Sequence, residues 1–281
     1  MPTAPASRFQ QDIYLAAAGE GRFHGELSSA WSIGPIPNGG YVMAVACNAL
    51  AMALDCPHQA SITGHYVQPT EAGPVQIETE VIRRGRRLST GVAKLIQGGV
   101  ERARFVGTFT DLALSSGVDL HTVSPPEISD ISQCVPMAEL SPRPTAIHEH
   151  LLARLDPASA THWQRGHPDA PTELCAWLGF ADGGQIDVFS LPLFADAQPP
   201  PLFRRIGFGG WVPTVELTVH VHRKPAPGLL RARFVTHHVT AGLLHEDGEL
   251  WDSAGHLVAL SRQLAMVVSP PTRRNNGAPA D

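Results

Sequence analysis

The sequence predicts an α+β chain built twice, as two antiparallel sheets that each curl around a central helix and join edge to edge. Three observations carry this prediction. The stretch "YVMAVACNALAMAL", residues 41–54, is apolar at every position except Asn48, and a helix apolar on all faces must be surrounded. Directly after it the period changes: "ITGHYVQP", "GPVQIETEVIRRG", "LSTGVAKLIQGG" and "ERARFVGTFTDL" alternate apolar with polar residues between Gly and Pro signals, as an antiparallel meander does. The same order returns near the end of the chain in "TVELTVHVHRKP", "GLLRARFVTHHV", "AGLLHEDGELWDSAG" and "LVALSRQLAMVV".

Each element follows from its residues. The opening "MPTAPASRFQQDIY" is polar and holds prolines, with no basic flank leading into an apolar segment, so no signal peptide is read and a cytoplasmic protein is expected. A membrane cannot be what surrounds the apolar run. Fourteen residues at helical rise cover about 21 Å against a hydrocarbon core of about 30 Å. A twisted antiparallel sheet curling around the helix buries all its faces, which is the geometry of the hotdog fold. "PNGG" places Asn38 as the N-cap and Gly39 and Gly40 in the first turn, with free N–H groups able to face a carbonyl or a phosphate, or simply to be capped. The meander's "RRGRRLS" sets four arginines around one glycine in a hairpin turn.

The first unit spans 10–115. Residues 116–145, rich in Ser and Pro, hold no sustained period and read as a linker. The second unit spans 146–268. "HYVQPTEAGPVQIETEV" and "VHRKPAPGLLRARFV" share a strand, a proline, a glycine and a strand, so a second central helix is expected before residue 215. "GGQIDVFSLPLFADA" (183–197) is the segment for it, interrupted by Pro192. The tail 269–281 is expected to be disordered. Each isolated sheet leaves an exposed edge strand that the other can satisfy, hence a double hotdog joined edge to edge.

With 281 residues, 43% of them hydrophobic, the chain can bury a large core, and a net charge of −5 gives no electrostatic case for a nucleic-acid partner. Cys47, Cys56, Cys134 and Cys175 form no C-x-x-C pair and read as reduced, buried thiols. No H-E-x-x-H motif points to a metal and no G-x-S-x-G elbow to a serine nucleophile, and no cofactor is called for.

In "WSIGPIPNGGYVMAVACNAL", "VELTVHVHR", "LLRARFVTHHVTAG" and "DSAGHLVALSRQ" the chain resembles the double-hotdog acyl-CoA thioesterases, the acyl-CoA thioesterase II type and its thioesterase-like relatives, over most of residues 10–268. The resemblance implies hydrolysis of acyl-CoA to free acid and CoA, with an Asp, a Thr and a Gln of the second hotdog holding a water against the thioester carbonyl. Carried over, these fall on Glu216, Thr236 and Gln263, so Glu216 takes the place of the Asp as the base. By alternation alone Glu216 fits equally the solvated face of a half-buried strand, and Thr236 fits an ordinary β-branched strand residue. Asn38, Gly39 and Gly40 are the substrate-binding N-terminus. Arg86 of the arginine turn is the candidate for CoA phosphates, for which a guanidinium fork is suited. His238, placed by alternation on the face of Thr236, is counted among the substrate-binding residues and is the best alternative base. The resemblance also implies a homodimer. Two other readings stay open: an acyl-CoA-binding hotdog without activity, suggested by Glu216 in the Asp position, and a hotdog hydratase or dehydratase, whose D-x-N-P-x-H-like segment is absent.

Overall fold

A computed structural model describes residues 7–141, 145–208 and 211–268. The first half holds α1 (Arg8–Asp12), β1 (Ala16–Ala17), β2 (Arg22–Leu27), a small hairpin of β3 (Ser32–Ile33) and β4 (Ile36–Pro37), and α2 (Gly39–Leu54). The meander β5 (His58–Tyr66), β6 (Gly73–Arg83), β7 (Ser89–Gln97) and β8 (Val100–Thr110) completes it. The second half holds β9 (Val135–Pro136), α3 (Met137–Leu140), α4 (Ala146–His150), β10 (Leu151–Leu155), β11 (Glu173–Phe180), α5 (Leu191–Ala195) and α6 (Phe203–Ile206). It ends in β12 (Thr214–Val221), β13 (Leu230–Thr240), β14 (Leu243–Trp251) and β15 (Leu257–Met266).

Thirteen strands form one sheet in the order β1-β2-β6-β7-β8-β5-β12-β15-β14-β13-β11-β10-β9, every pair antiparallel. The two halves meet at β5 and β12, where Leu217 pairs with Gly64 and Val219 with Ile62. The fold is the double hotdog, joined edge to edge.

The apolar run becomes α2, sixteen residues long, and eleven of them are buried. The sheet makes room for it with glycines: a Cβ at Gly91 or Gly107 would lie 3.1 Å from a methyl of Leu50, and one at Gly64 would lie 3.1 Å from the Met43 methyl. Each large side chain buried this way contributes about 1.5–3 kcal/mol. Asn48, the lone polar residue of the run, donates from Nδ2 to the Ile13 carbonyl at 2.8 Å, so it ties the helix to the N-terminal segment. Asp55 ends the helix in a left-handed conformation, with φ at 51°, and the Arg84 guanidinium donates to the carbonyls of Ala53 and Leu54.

The second central helix is shorter than 183–197. A 3-10 turn over Val188–Ser190 leads into α5. Pro192 does not interrupt this helix; it sits in its first turn, where its missing N–H would have no intrahelical partner. The segment read as linker also carries structure, since β9 pairs with β10 at the sheet's far edge and leads into α3. The expected disordered tail lies outside the described residues. Among the described residues no helix is long and apolar enough to cross a membrane.

Candidate active site

The N-terminus of α2 and the C-terminus of α5 meet head to tail at the seam between the halves. Asp196, the C-cap of α5, is aimed at the first turn of α2. Its Oδ2 accepts from the Gly40 backbone N–H at 2.9 Å and from Asn38 Nδ2 at 2.9 Å, and Asn38 Nδ2 also donates to the Asp196 carbonyl at 2.7 Å. Asn38 Oδ1 meanwhile accepts from Tyr41 N–H at 2.9 Å, the capping bond expected from "PNGG". The helix N-terminus thus presents donors to an anion from the other half of the chain.

The other carboxylate oxygen faces the sheet. Gln263 Nε2 donates to Asp196 Oδ1 at 2.8 Å and also to Thr214 Oγ1, while the Thr214 hydroxyl lies 3.5 Å from Asp196 Oδ1. Thr214 reaches this place through a bulge. Thr214 pairs with Ala265 but Glu216 with Leu264, so Val215 is the extra residue and Thr214 falls on the same face as Leu217 and Gln263.

Asp196, Thr214, Gln263, Asn38 and Gly39 line a cavity of about 1160 Å³ whose apolar walls include Ile36, Ile147, Phe203, Phe208 and Trp211. Burial raises the Asp196 carboxyl to about 6, against the pull of the Gly40, Gln263, Thr214 and Asn38 bonds. Such a group is ionised at neutral pH and still basic enough to take a proton. Gly39, whose N–H is one of the four that a helix start leaves without an intrahelical partner, lines the cavity. Tyr66 donates to the Gly39 carbonyl at 2.7 Å and holds that turn in place.

Of the residues expected from the sequence, Gln263, Asn38, Gly39 and Gly40 come together here. Glu216 does not join them. Gln263 pairs with Leu217, so Glu216 points to the opposite face of the sheet, where the Thr218 hydroxyl donates to it at 3.3 Å. Thr236 is on the inner face but two strands from Gln263, with Glu246 between them, a separation of about 10 Å by strand spacing. His238 is exposed: a bulge at His237 pairs Thr236 with Glu246 but His238 with His245, which reverses the alternation that had put His238 beside Thr236. Arg86 is exposed in the β6–β7 turn, whose Arg84 binds the last carbonyls of α2, so this turn sits at the opposite end of α2 from Asn38. The helix length alone separates those ends by about 24 Å.

Sequence reasoning missed Asp196 and Thr214. Asp196 was visible as the acidic residue closing the segment expected to be the second central helix. Thr214 had no signal, because alternation presumes an unbroken pleat. Of the four cysteines read as buried, Cys47 and Cys134 are, while Cys56 and Cys175 are half-buried; none lines the cavity, and burial pushes the Cys47 thiol far up and that of Cys175 up to about 12. Among the described residues no group of His, Cys, Asp and Glu side chains is placed to hold a metal ion.

Comparison with known proteins agrees with this architecture. The model of the acyl-CoA thioesterase N-terminal domain matches residues 27–110, and that of the acyl-CoA thioesterase C-terminal domain matches residues 131–267. The second match begins inside the segment read as linker. A candidate thioesterase II from Thermobifida fusca YX is similar in structure with a TM-score of 0.82 and 31% identity, over 94% of this chain and 99% of that one. A hot dog fold protein of unknown function from Alicyclobacillus acidocaldarius shares the fold at a TM-score of 0.79 and 20% identity, over 93% and 98% of the two chains. In sequence the chain is 25% identical to the thioesterase-like protein TwmA of Talaromyces wortmannii, over 89% of this chain and 88% of TwmA.

Proposed function

The chain belongs to the acyl-CoA thioesterase family, and from that premise we propose that it hydrolyses an acyl-CoA thioester with water activated by Asp196. The observation that carries this reading is the Asp196 carboxylate at the cavity wall, bonded by Gln263 and lying beside Thr214, at the start of α2.

The chemistry follows from what each group can exchange. Asp196 takes a proton from a water held against Thr214 and Gln263, and that water's oxygen attacks the thioester carbonyl carbon. The Gly39 N–H, strengthened by the α2 dipole, donates to the carbonyl oxygen as its negative charge develops. As the tetrahedral intermediate collapses, the C–S bond breaks and the proton on Asp196 passes to the departing sulfur. Acid and thiol leave, and Asp196 is again a carboxylate.

The reading of an acyl-CoA binder without activity rested on a glutamate standing where an aspartate is wanted, and Asp196 supplies that aspartate. The test is a panel of acyl-CoA substrates, with released thiol followed by a thiol-reactive dye. Saturable thiol release on at least one acyl group, lost in Gln263→Leu, supports the proposal. Tight acyl-CoA binding without release above the buffer rate would return the chain to the binding class.

A further inference from the structure

Behind Gln263 lies a second buried carboxyl that this reaction does not use. In the register of β13, β14 and β15, Thr236 pairs with Glu246 and Glu246 with Gln263, so the three side chains form a row on the inner face. Glu246 is 5% exposed; its Oε2 and the Thr236 Oγ1 make no hydrogen bond of good geometry, although the Thr236 hydroxyl lies near enough to the Glu246 carboxyl to favour its ionised form in part. Gln263 spends its Nε2 on Asp196 and Thr214, so its amide oxygen is the end of that side chain open to a donor.

We propose that Glu246 is a positioning residue for the site read above as hydrolytic: held as the neutral acid beside Gln263, it fixes which way the Gln263 amide faces. A carboxylic acid offers a donor to the amide oxygen and so keeps Nε2 turned toward Asp196 and Thr214. An ionised carboxylate in the same place would attract the amide N–H instead and turn it away from them.

The surroundings favour the neutral form. An unpaired charge is costly where the carboxyl is buried, and Asp196 adds a like charge, so the proton is held up to about 8. The charged neighbour on its own strand, Asp247, is tied up by Arg262 of β15 at 2.7 and 2.8 Å. From β13 the paired side chain is the Thr236 hydroxyl, and the bulge at His237 puts His238 on the other face.

Two measurements test this. The first is kcat against pH for the wild type, Glu246→Gln and Glu246→Leu. The wild type should show a falling limb near pH 8 that Glu246→Gln, which always carries a donor, lacks. Glu246→Leu should lose about tenfold in kcat at pH 7 with KM little moved, less than the hundredfold or so lost when an orienting donor is removed outright. Glu246→Gln should recover most of that loss. The same falling limb in Glu246→Gln, or wild-type kcat in Glu246→Leu, would overturn the proposal. The second needs neither activity nor a folded Glu246 variant: the side-chain amide nitrogen signal of Gln263 in the wild type, identified by its loss in Gln263→Glu, should shift with a midpoint near pH 8. A signal that does not move between pH 7 and 9 would overturn the role of Glu246 whether or not the chain turns over acyl-CoA. Absence of turnover with a titrating amide would refute only the hydrolytic reading.

Discussion

Replacing Gly40 by Ala sets two levels of structure against each other. Judged as a helix position alone, alanine is better than glycine by up to about 1 kcal/mol, and the change should stabilise. The packing requires the opposite. A Cβ on Gly40 would stand 2.1 Å from the Pro192 carbonyl oxygen, 2.8 Å from its carbon and 2.9 Å from the Asp196 Cβ. Ordinary contact begins at 3.4 Å, so α2 and α5 must separate by 3.4 − 2.1, or about 1.3 Å, and the obstacle is backbone that cannot rotate away. Overpacking of this kind costs about 3 kcal/mol, which leaves a net loss of about 2 kcal/mol and a drop in Tm of about 5 °C. The same separation lengthens the Gly40 N–H bond to Asp196 Oδ2 and carries the carboxylate away from Gly39, and a displacement of about 1 Å costs about a hundredfold in rate. Calorimetry and the thiol-release assay on one preparation read both effects. An alanine variant with raised Tm and unchanged kcat would refute the close approach of the two helices.

Three further outcomes are expected. Because the base must be ionised and Asp196 is held at about 6, kcat/KM should fall about tenfold between its plateau and pH 5, and a rate independent of pH from 5 to 7 would exclude it. In stability the sign is reversed: a carboxyl raised in the folded state contributes below its unfolded value near 4 and loses that contribution by about 6. Urea unfolding should therefore show Asp196→Asn gaining on the wild type across pH 4 to 6, by up to roughly 3 kcal/mol, and a constant difference would contradict the burial of the charge. Glu216→Gln should keep kcat within about threefold, since its carboxyl lies on the other face of the sheet; a hundredfold loss would restore Glu216 as the base.

What was legible in the sequence depended on regular periods. The unbroken apolar run from Tyr41 announced a buried helix, and alternation announced the two meanders with their order and their edges. The site sits where regularity fails. One extra residue at Val215 brings Thr214 inward and leaves Glu216 outside, and another at His237 turns His238 away from Thr236. A pattern of period two cannot show which residue a bulge inserts. Asp196 was hidden for a different reason. It follows a helix of five residues, too short to display a period of 3.6, and its importance comes from Asn38 and Gly40, 158 and 156 residues away in sequence. Gln263 was legible because its strand is regular from Ser261 to Met266, so a lone amide among Leu, Ala and Met stood out.

The most direct test is the rate of CoA thiol release by Asp196→Asn beside the wild type, on the best acyl-CoA of the panel and at pH 7.5, with Tm measured on the same samples. Asparagine keeps the size of the side chain but cannot accept a proton from water. Hydrolysis through Asp196 predicts that kcat falls by about a hundredfold to ten-thousandfold in a variant that still unfolds cooperatively. A folded Asp196→Asn enzyme that turns over within about tenfold of the wild-type rate would contradict it and require another base.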